Sequence, residues 1–188
     1  RTVDSVLAQT FRDFEIVVVN DGSTDDGPVI VRKYDDPRIR VIDQENRGVS
    51  AARNRGIAES KADMIAFLDA DDEWMPDFIE TIIGLSKKFP EAGLYATGYR
   101  LLKSDKYIGL NITIKGGCEK CGNCFDLYRK KCIIHTSSVA VRRSVFDRVG
   151  SFRVGYVSAE DTDMWFRIGL WYKFALSPKI CSLYHYYI

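Results

Sequence analysis

Met64-Ile65-Ala66-Phe67-Leu68-Asp69-Ala70-Asp71-Asp72-Glu73-Trp74 is an apolar run that ends abruptly in acids. Met64 to Leu68 has the unbroken hydrophobicity of a strand buried on both faces. Open α/β sheets place ligands beyond the carboxyl ends of their strands, so Asp69, Asp71 and Asp72 are expected at a site. Two carboxylates about 4 Å apart repel by roughly 4 kcal/mol at an effective dielectric of 20. Such a cluster stays ionised beside a cation or splays into solvent. Hard divalent cations such as Mg²⁺ or Mn²⁺ take oxygen ligands, often one or two carboxylates together with substrate phosphates. Taken alone, the cluster reads equally well as a solvated acidic turn capping the helix that follows Pro76.

Outward from this stretch, strand and helix alternate. Val3, Val6, Leu7 and Thr10 carry helical spacing, so Arg1–Gln9 is expected to be an amphipathic helix. Phe14–Val19 is a β-branched strand that stops at Asn20-Asp21-Gly22-Ser23 and places a second acid, Asp21, at a strand end. A helix from Asp25 or Asp26 to Tyr34, a strand Arg38–Ile42, a helix Val49–Glu59 and a helix after Pro76 to Lys88 complete a β-α-β pattern. Beyond Pro90 the expected elements are a strand Gly93–Leu102 and a polar segment from Lys103 to Lys131. A strand Ser137–Arg142, a helix Arg143–Val149, a helix opening at Ala159-Glu160-Asp161 and a closing strand from Lys173 to Ile188 follow. The fold class is α/β, with a mostly parallel central sheet flanked by helices.

Composition narrows the function. The 188 residues make one domain with 46% apolar and 28% charged content, typical of soluble globular chains. Lysine plus arginine (27) nearly balances aspartate plus glutamate (26), which gives no support to nucleic-acid binding or to a polybasic anchor. No apolar run reaches membrane-spanning length, and no signal-peptide pattern is present. The chain starts at Arg1 inside a helical pattern and is expected to be a fragment. Five cysteines, one of them isolated, point to a reducing compartment. Cys118, Cys121, Cys124 and Cys132 offer four thiolates, but three crowd into seven residues where structural zinc sites have two separated pairs. They are expected to be free thiols.

Four motifs occur in one order: Val19-Asn20-Asp21-Gly22-Ser23-Thr24; Glu45-Asn46-Arg47-Gly48 with Ala52-Arg53-Asn54-x-Gly56; Phe67-Leu68-Asp69-Ala70-Asp71-Asp72; and Glu160-Asp161-x-Asp163-x-Trp165-x-Arg167. Together they closely resemble the family 2 glycosyltransferases of the GT-A fold, which move a sugar from a nucleotide-diphosphate donor to an acceptor hydroxyl with inversion. The resemblance covers nearly the whole chain except roughly residues 103–132. It implies a nucleotide-sugar half over 1–90 and an acceptor half over 91–188. It also implies a first strand that this chain lacks. On its pattern Asp21, Asn46, Gly48, Arg53 and Asp69 would hold the donor, a UDP-sugar by expectation. Asp71, helped by Asp69 and Asp72, would hold Mn²⁺ or Mg²⁺ on the diphosphate. The acceptor would be a saccharide or a lipid-linked saccharide, as in polysaccharide or glycoconjugate synthesis, in the cytoplasm or at the inner face of the membrane.

Asp161 is the candidate general base; Glu160 is the secondary candidate. The competing reading makes Asp161 a helix N-cap and Asp163–Arg167 an i, i+4 pair. Trp165 is expected in the core. His185, between two tyrosines, is a second candidate near the metal by the resemblance, although its residue context favours a packed strand histidine. Rival functions are a non-catalytic nucleotide-sugar-binding module and a Mg²⁺-dependent phosphotransferase of the haloacid-dehalogenase type. The latter requires Thr or Val where Glu73 stands.

Overall fold

The computed structural model describes residues 1–103, 106–112, 118–129 and 134–186. The chain opens with α1 (Thr2–Leu7), followed by β1 (Ile16–Asp21), α2 (Gly27–Val31) and β2 (Ile39–Gln44). Next come α3 (Val49–Glu59), β3 (Met64–Ala66), the short β4 (Glu73–Trp74) and α4 (Phe78–Lys88). The second half holds β5 (Ala92–Lys103), β6 (Lys106–Ile112), β7 (Lys120–Gly122) and α5 (Cys124–Arg129). A 3-10 turn (Thr136–Ser138) leads into β8 (Val139–Arg142), α6 (Arg143–Val149), α7 (Glu160–Gly169) and β9 (Lys173–Tyr186).

The α/β class and the flanking helices match expectation, while the strand directions are more mixed than a mostly parallel sheet. β1 and β2 pair in parallel as a two-stranded sheet. The larger sheet runs β3-β8-β5-β9-β4, with β6 added on β5 and β7 on β9. In it only β5 and β9 are parallel; β8 enters antiparallel between β3 and β5. Strand alternation in sequence predicts parallel crossovers, but β8, which follows the 3-10 turn, pairs antiparallel with both β3 and β5.

The larger sheet is buried on both faces because its strands are apolar at odd and even positions alike. Leu94, Ala96, Val139, Val141, Phe174 and Leu176 join Trp165, Met164 and Ile168 of α7 in one core cluster. Their neighbours Tyr95, Ala140 and Ala175 turn to the other face, against Phe78, Ile82 and Leu85 of α4. Phe78, Ile82 and Leu85 recur every three or four residues, and Trp74 stacks on Phe78 at 4.2 Å. Burying such side chains contributes roughly 1.5–3 kcal/mol each. Trp165 is fully buried, so its place is the core.

A cleft of about 950 Å³ separates β1 from β3, lined by Val17 and Val19 on one side and Ala66 and Leu68 on the other. Ala66, on the cleft wall, is exposed, although it stands inside a run that reads as doubly buried. The first residues before and within α1 are anchored at the carboxyl end of β3: Thr2 Oγ1 donates to the Ala70 carbonyl at 2.7 Å and Arg1 Nη2 to that of Asp71 at 3.2 Å.

Candidate active site

Arg53 brings together the turn after β3 at Asp69 and the first turn of α7 at Glu160, and Asp21 ends β1. Asp21 does not project freely. Its carboxylate accepts from Gln44 Nε2 at 2.7 Å and from the backbone N–H groups of Arg47 and Gly48 at 3.0 and 2.8 Å. Partial burial opposes ionisation, but these three donors outweigh it and lower the pKa below the ordinary aspartate value. Gly48 adopts φ 86°, a conformation that glycine tolerates without steric cost, and caps α3. Gly22, at φ 69°, lies so close to Asn46 that a Cβ there would come within 2.9 Å of its backbone nitrogen. Asp21, Gly22 and the Asn46–Gly48 loop thus form one rigid corner, with Asn46 itself exposed.

Arg53 on α3 sits in the middle of the site. Its Nη2 donates to Asp69 Oδ1 at 2.9 Å and its Nη1 to Glu160 Oε1 at 2.8 Å. Its side chain is only 11% exposed and lies over the Phe152 ring. Burial works against the charge, but Asp69 and Glu160 overcome it and raise the pKa. The guanidinium fork therefore ties the strand-end acid of the first half to the helix start of the second.

The four acids after β3 are not equivalent. Asp71 is exposed, and Asp69 is partly exposed beside Arg53. Asp72 is fully buried: its Oδ2 accepts from Ser137 Oγ at 2.5 Å and its Oδ1 from the His185 backbone N–H at 2.9 Å. His185 is buried on β9 with Nε2 2.7 Å from Glu73 Oε1, which places it behind the acidic turn. Burial drives the Asp72 carboxyl from 3.8 up to about 6, against the Ser137 and His185 hydrogen bonds and with the help of the Asp71 and Asp69 charges. A folded-state pKa above the unfolded one means that the native chain binds more protons between those values. Stability from this group is then full below about pH 4 and lost as pH rises through about 6, by at most about 3 kcal/mol. Asp72→Asn is expected to remove that step, and the difference in urea midpoint between the two proteins at pH 4.5 and pH 7.5 measures it. Equal pH dependence in both would place the titration elsewhere.

Asp69, Asp72 and His135 bring one ligand atom each within 4.8 Å of one another, a donor set open to a divalent cation; Asp71 is outside this group. His135 is an imperfect ligand. Its Nδ1 accepts the Ser137 backbone N–H at 3.2 Å, so in the neutral ring the proton resides on Nε2. Metal-bound histidines instead donate their second ring N–H to an acceptor. The carboxylates fit Mn²⁺ or Mg²⁺, and the imidazole fits less well.

Asp161 is the second residue of α7. The N-cap position belongs to Ala159, held at φ 60°, the one non-glycine positive φ among the described residues. A side chain in that region costs about 1–2 kcal/mol, so the start of α7 is strained beside the candidate base. Asp161 Oδ1 accepts the Thr162 backbone N–H at 2.6 Å and Oδ2 accepts Thr136 Oγ1–H at 3.2 Å. Asp163 pairs with Arg167 at 2.9 Å, as the i, i+4 spacing predicts, and also with Arg153 at 3.1 Å.

His135, Thr136 and Ser137 were not legible in the sequence as site residues, because a short buried polar turn has no periodicity. The only signal was four polar residues, His-Thr-Ser-Ser, set directly before an apolar strand. The cysteines are dispersed: Cys118 is exposed, Cys121 faces Glu91, and Cys124 is buried with its thiol pushed up to about 11 by desolvation. Cys132 lies outside the described residues. Among the described residues, no helix is long and apolar enough to cross a membrane.

A sequence model described as "Glycosyl transferase family 2" matches residues 1–159. A Rickettsia felis protein described as an uncharacterized glycosyltransferase is 30% identical over 179 residues, 88% of this chain and 28% of that protein. Glycosyltransferase GlyA of Streptococcus pneumoniae is 44% identical over 84 residues, 44% of this chain and 12% of that protein. The chain thus spans well under two thirds of the length of these relatives. Among solved structures, S. aureus TarS 1–349 in complex with UDP-GlcNAc is similar with a TM-score of 0.80 at 18% identity, covering 98% of this chain and 54% of that one. At that identity the likeness shows the fold alone.

Proposed function

Because the chain belongs to the family 2 glycosyltransferases, we propose that it transfers a sugar from a nucleotide-diphosphate sugar, a UDP-sugar, to an acceptor hydroxyl with inversion. One observation carries this reading. Arg53 bridges Asp69 and Glu160, and so draws the strand-end acids and the acid pair of α7 around one opening. Support also comes from the fold shared with a TarS structure holding UDP-GlcNAc.

Asp21 fixes the loop at the nucleotide side, and Asp69 stands where it can meet the donor. Asp161 takes the proton of the acceptor hydroxyl. The acceptor oxygen forms its bond to the anomeric carbon as the bond from that carbon to the β-phosphate oxygen breaks, and UDP leaves with the electron pair. One base opposite the leaving group suffices for a direct displacement. A divalent cation, held by Asp71 with Asp69 and Asp72 in support, would supply Lewis-acid neutralisation of the charge growing on the diphosphate. A polysaccharide or glycoconjugate acceptor fits this chemistry.

The test is a donor screen on the full-length protein with UDP-glucose, UDP-galactose and UDP-GlcNAc, with Mn²⁺ or Mg²⁺, reading nucleoside diphosphate release against saccharide acceptors. Acceptor-dependent release is expected. A protein that binds UDP yet releases none from any donor is a binding module.

A further inference from the structure

The two sides of the proposed reaction, acids after β3 and base on α7, are joined by the turn His135–Ser138. Its own ends are closed. Ser138 donates both its backbone N–H and its hydroxyl to the His135 carbonyl, at 2.9 and 2.7 Å, and His135 Nδ1 accepts from Ser137 N–H. The turn is also stapled to the acidic loop. Ser137 Oγ donates to Asp72 and accepts the Asp69 backbone N–H at 3.2 Å, and the Ser137 carbonyl accepts the Trp74 indole N–H at 2.8 Å. Tyr184 and Tyr99 pack on the His135 ring at 4.1 and 5.3 Å. From this braced turn the Thr136 hydroxyl reaches Asp161 Oδ2.

We infer that Thr136 is a positioning residue for Asp161, holding the base at a fixed place relative to the donor-side acids. The inference rests on the reading of Asp161 as the base. Its physical ground is the division of labour at the carboxylate. Oδ1 is tied to the first turn of α7 through Thr162 N–H, which leaves Oδ2 to set the tilt of the group. Thr136 is 1% exposed, so its hydroxyl is held out of solvent and directed at Asp161. Each carboxylate oxygen accepts two hydrogen bonds; Oδ1 takes both from Thr162, its N–H and its hydroxyl, whereas Oδ2 takes that of the Thr136 hydroxyl and keeps a lone pair for an acceptor proton. Misplacing a reacting group by about 1 Å can cost on the order of a hundredfold in rate. A base on a strained helix start needs such a tether more than one on a regular helix.

The experiment compares Thr136→Val, Thr136→Ser and Asp161→Asn in the full-length protein. It reads turnover of the UDP-sugar and acceptor chosen by the screen, and UDP binding with Mn²⁺ by calorimetry. Valine keeps the buried shape and removes only the donor. Thr136→Val is expected to lower kcat at least about tenfold with UDP affinity within about twofold, and Thr136→Ser to restore most of the rate. Turnover of Thr136→Val near wild type while Asp161→Asn is inactive overturns the positioning role and leaves the base assignment standing. Loss of UDP binding in proportion to rate, or a serine variant as slow as valine, marks a packing role and overturns it equally. If Asp161→Asn itself turns over normally, the base reading fails and the tether has nothing to position.

Discussion

Asp161→Asn is expected to lower kcat by at least about a hundredfold while UDP affinity in the presence of Mn²⁺ stays within about twofold. The acceptor hydroxyl is a poor nucleophile at neutral pH, and a positioned base contributes on the order of 10²–10⁴ in rate. Asparagine keeps the size of the side chain and an oxygen that can still accept from Thr162 N–H or Thr136 Oγ1–H, so the first turn of α7 is retained. What disappears is the proton acceptor. Because Ala159 occupies the N-cap, the competing explanation of Asp161 as helix cap has lost its geometry. A fall in kcat without a change in donor binding marks an interaction made chiefly in the transition state. Near-wild-type transfer by Asp161→Asn would end this assignment. Glu160 would be a poor replacement, since its carboxylate is bound to Arg53.

The fold and the site were legible to different depths. Acids that interrupt an apolar run point to strand ends: Asp21 is the last residue of β1, while β3 stops at Ala66, short of the end of the apolar run, and leaves Asp69 three residues beyond it. Strand direction was less legible, because the pairing of β8 between β3 and β5 depends on contacts some 45–75 residues apart along the chain. The Asp163–Arg167 pair was readable because it is local.

Arg53 shows the limit of local reading. A guanidinium on a helix face beside a donor loop suggests phosphate or base, yet its partners in this structure are carboxylates 16 and 107 residues away. Asp72 is similar. Sequence places it beside Asp69 and Asp71 as an equal, whereas the fold buries it against β9 and the 135–138 turn and raises its pKa. Buried polar turns such as Thr136–Ser138 leave almost no trace in sequence, since their partners are scattered single residues.

That difference among the acids shapes the expectation for Asp71→Asn. Asp71 is exposed, and its backbone carbonyl, which the substitution keeps, accepts from Arg1, so stability should stay within about 0.5 kcal/mol. Its exposed carboxylate can turn toward a cation on an arriving diphosphate. Removing one carboxylate from a hard-cation site takes away both charge and a ligand, and Lewis-acid neutralisation of a leaving diphosphate is worth several kcal/mol. Transfer is therefore expected to fall by a hundredfold or more. The decisive comparison is UDP affinity in Mn²⁺ and in chelator, for both proteins. Wild type should bind more tightly with the metal, and Asp71→Asn should bind the same with and without it. If both proteins respond to Mn²⁺ alike, Asp71 is not the ligand. The Asp69, Asp72 and His135 group then becomes the candidate, and Asp69→Asn alone should abolish the response.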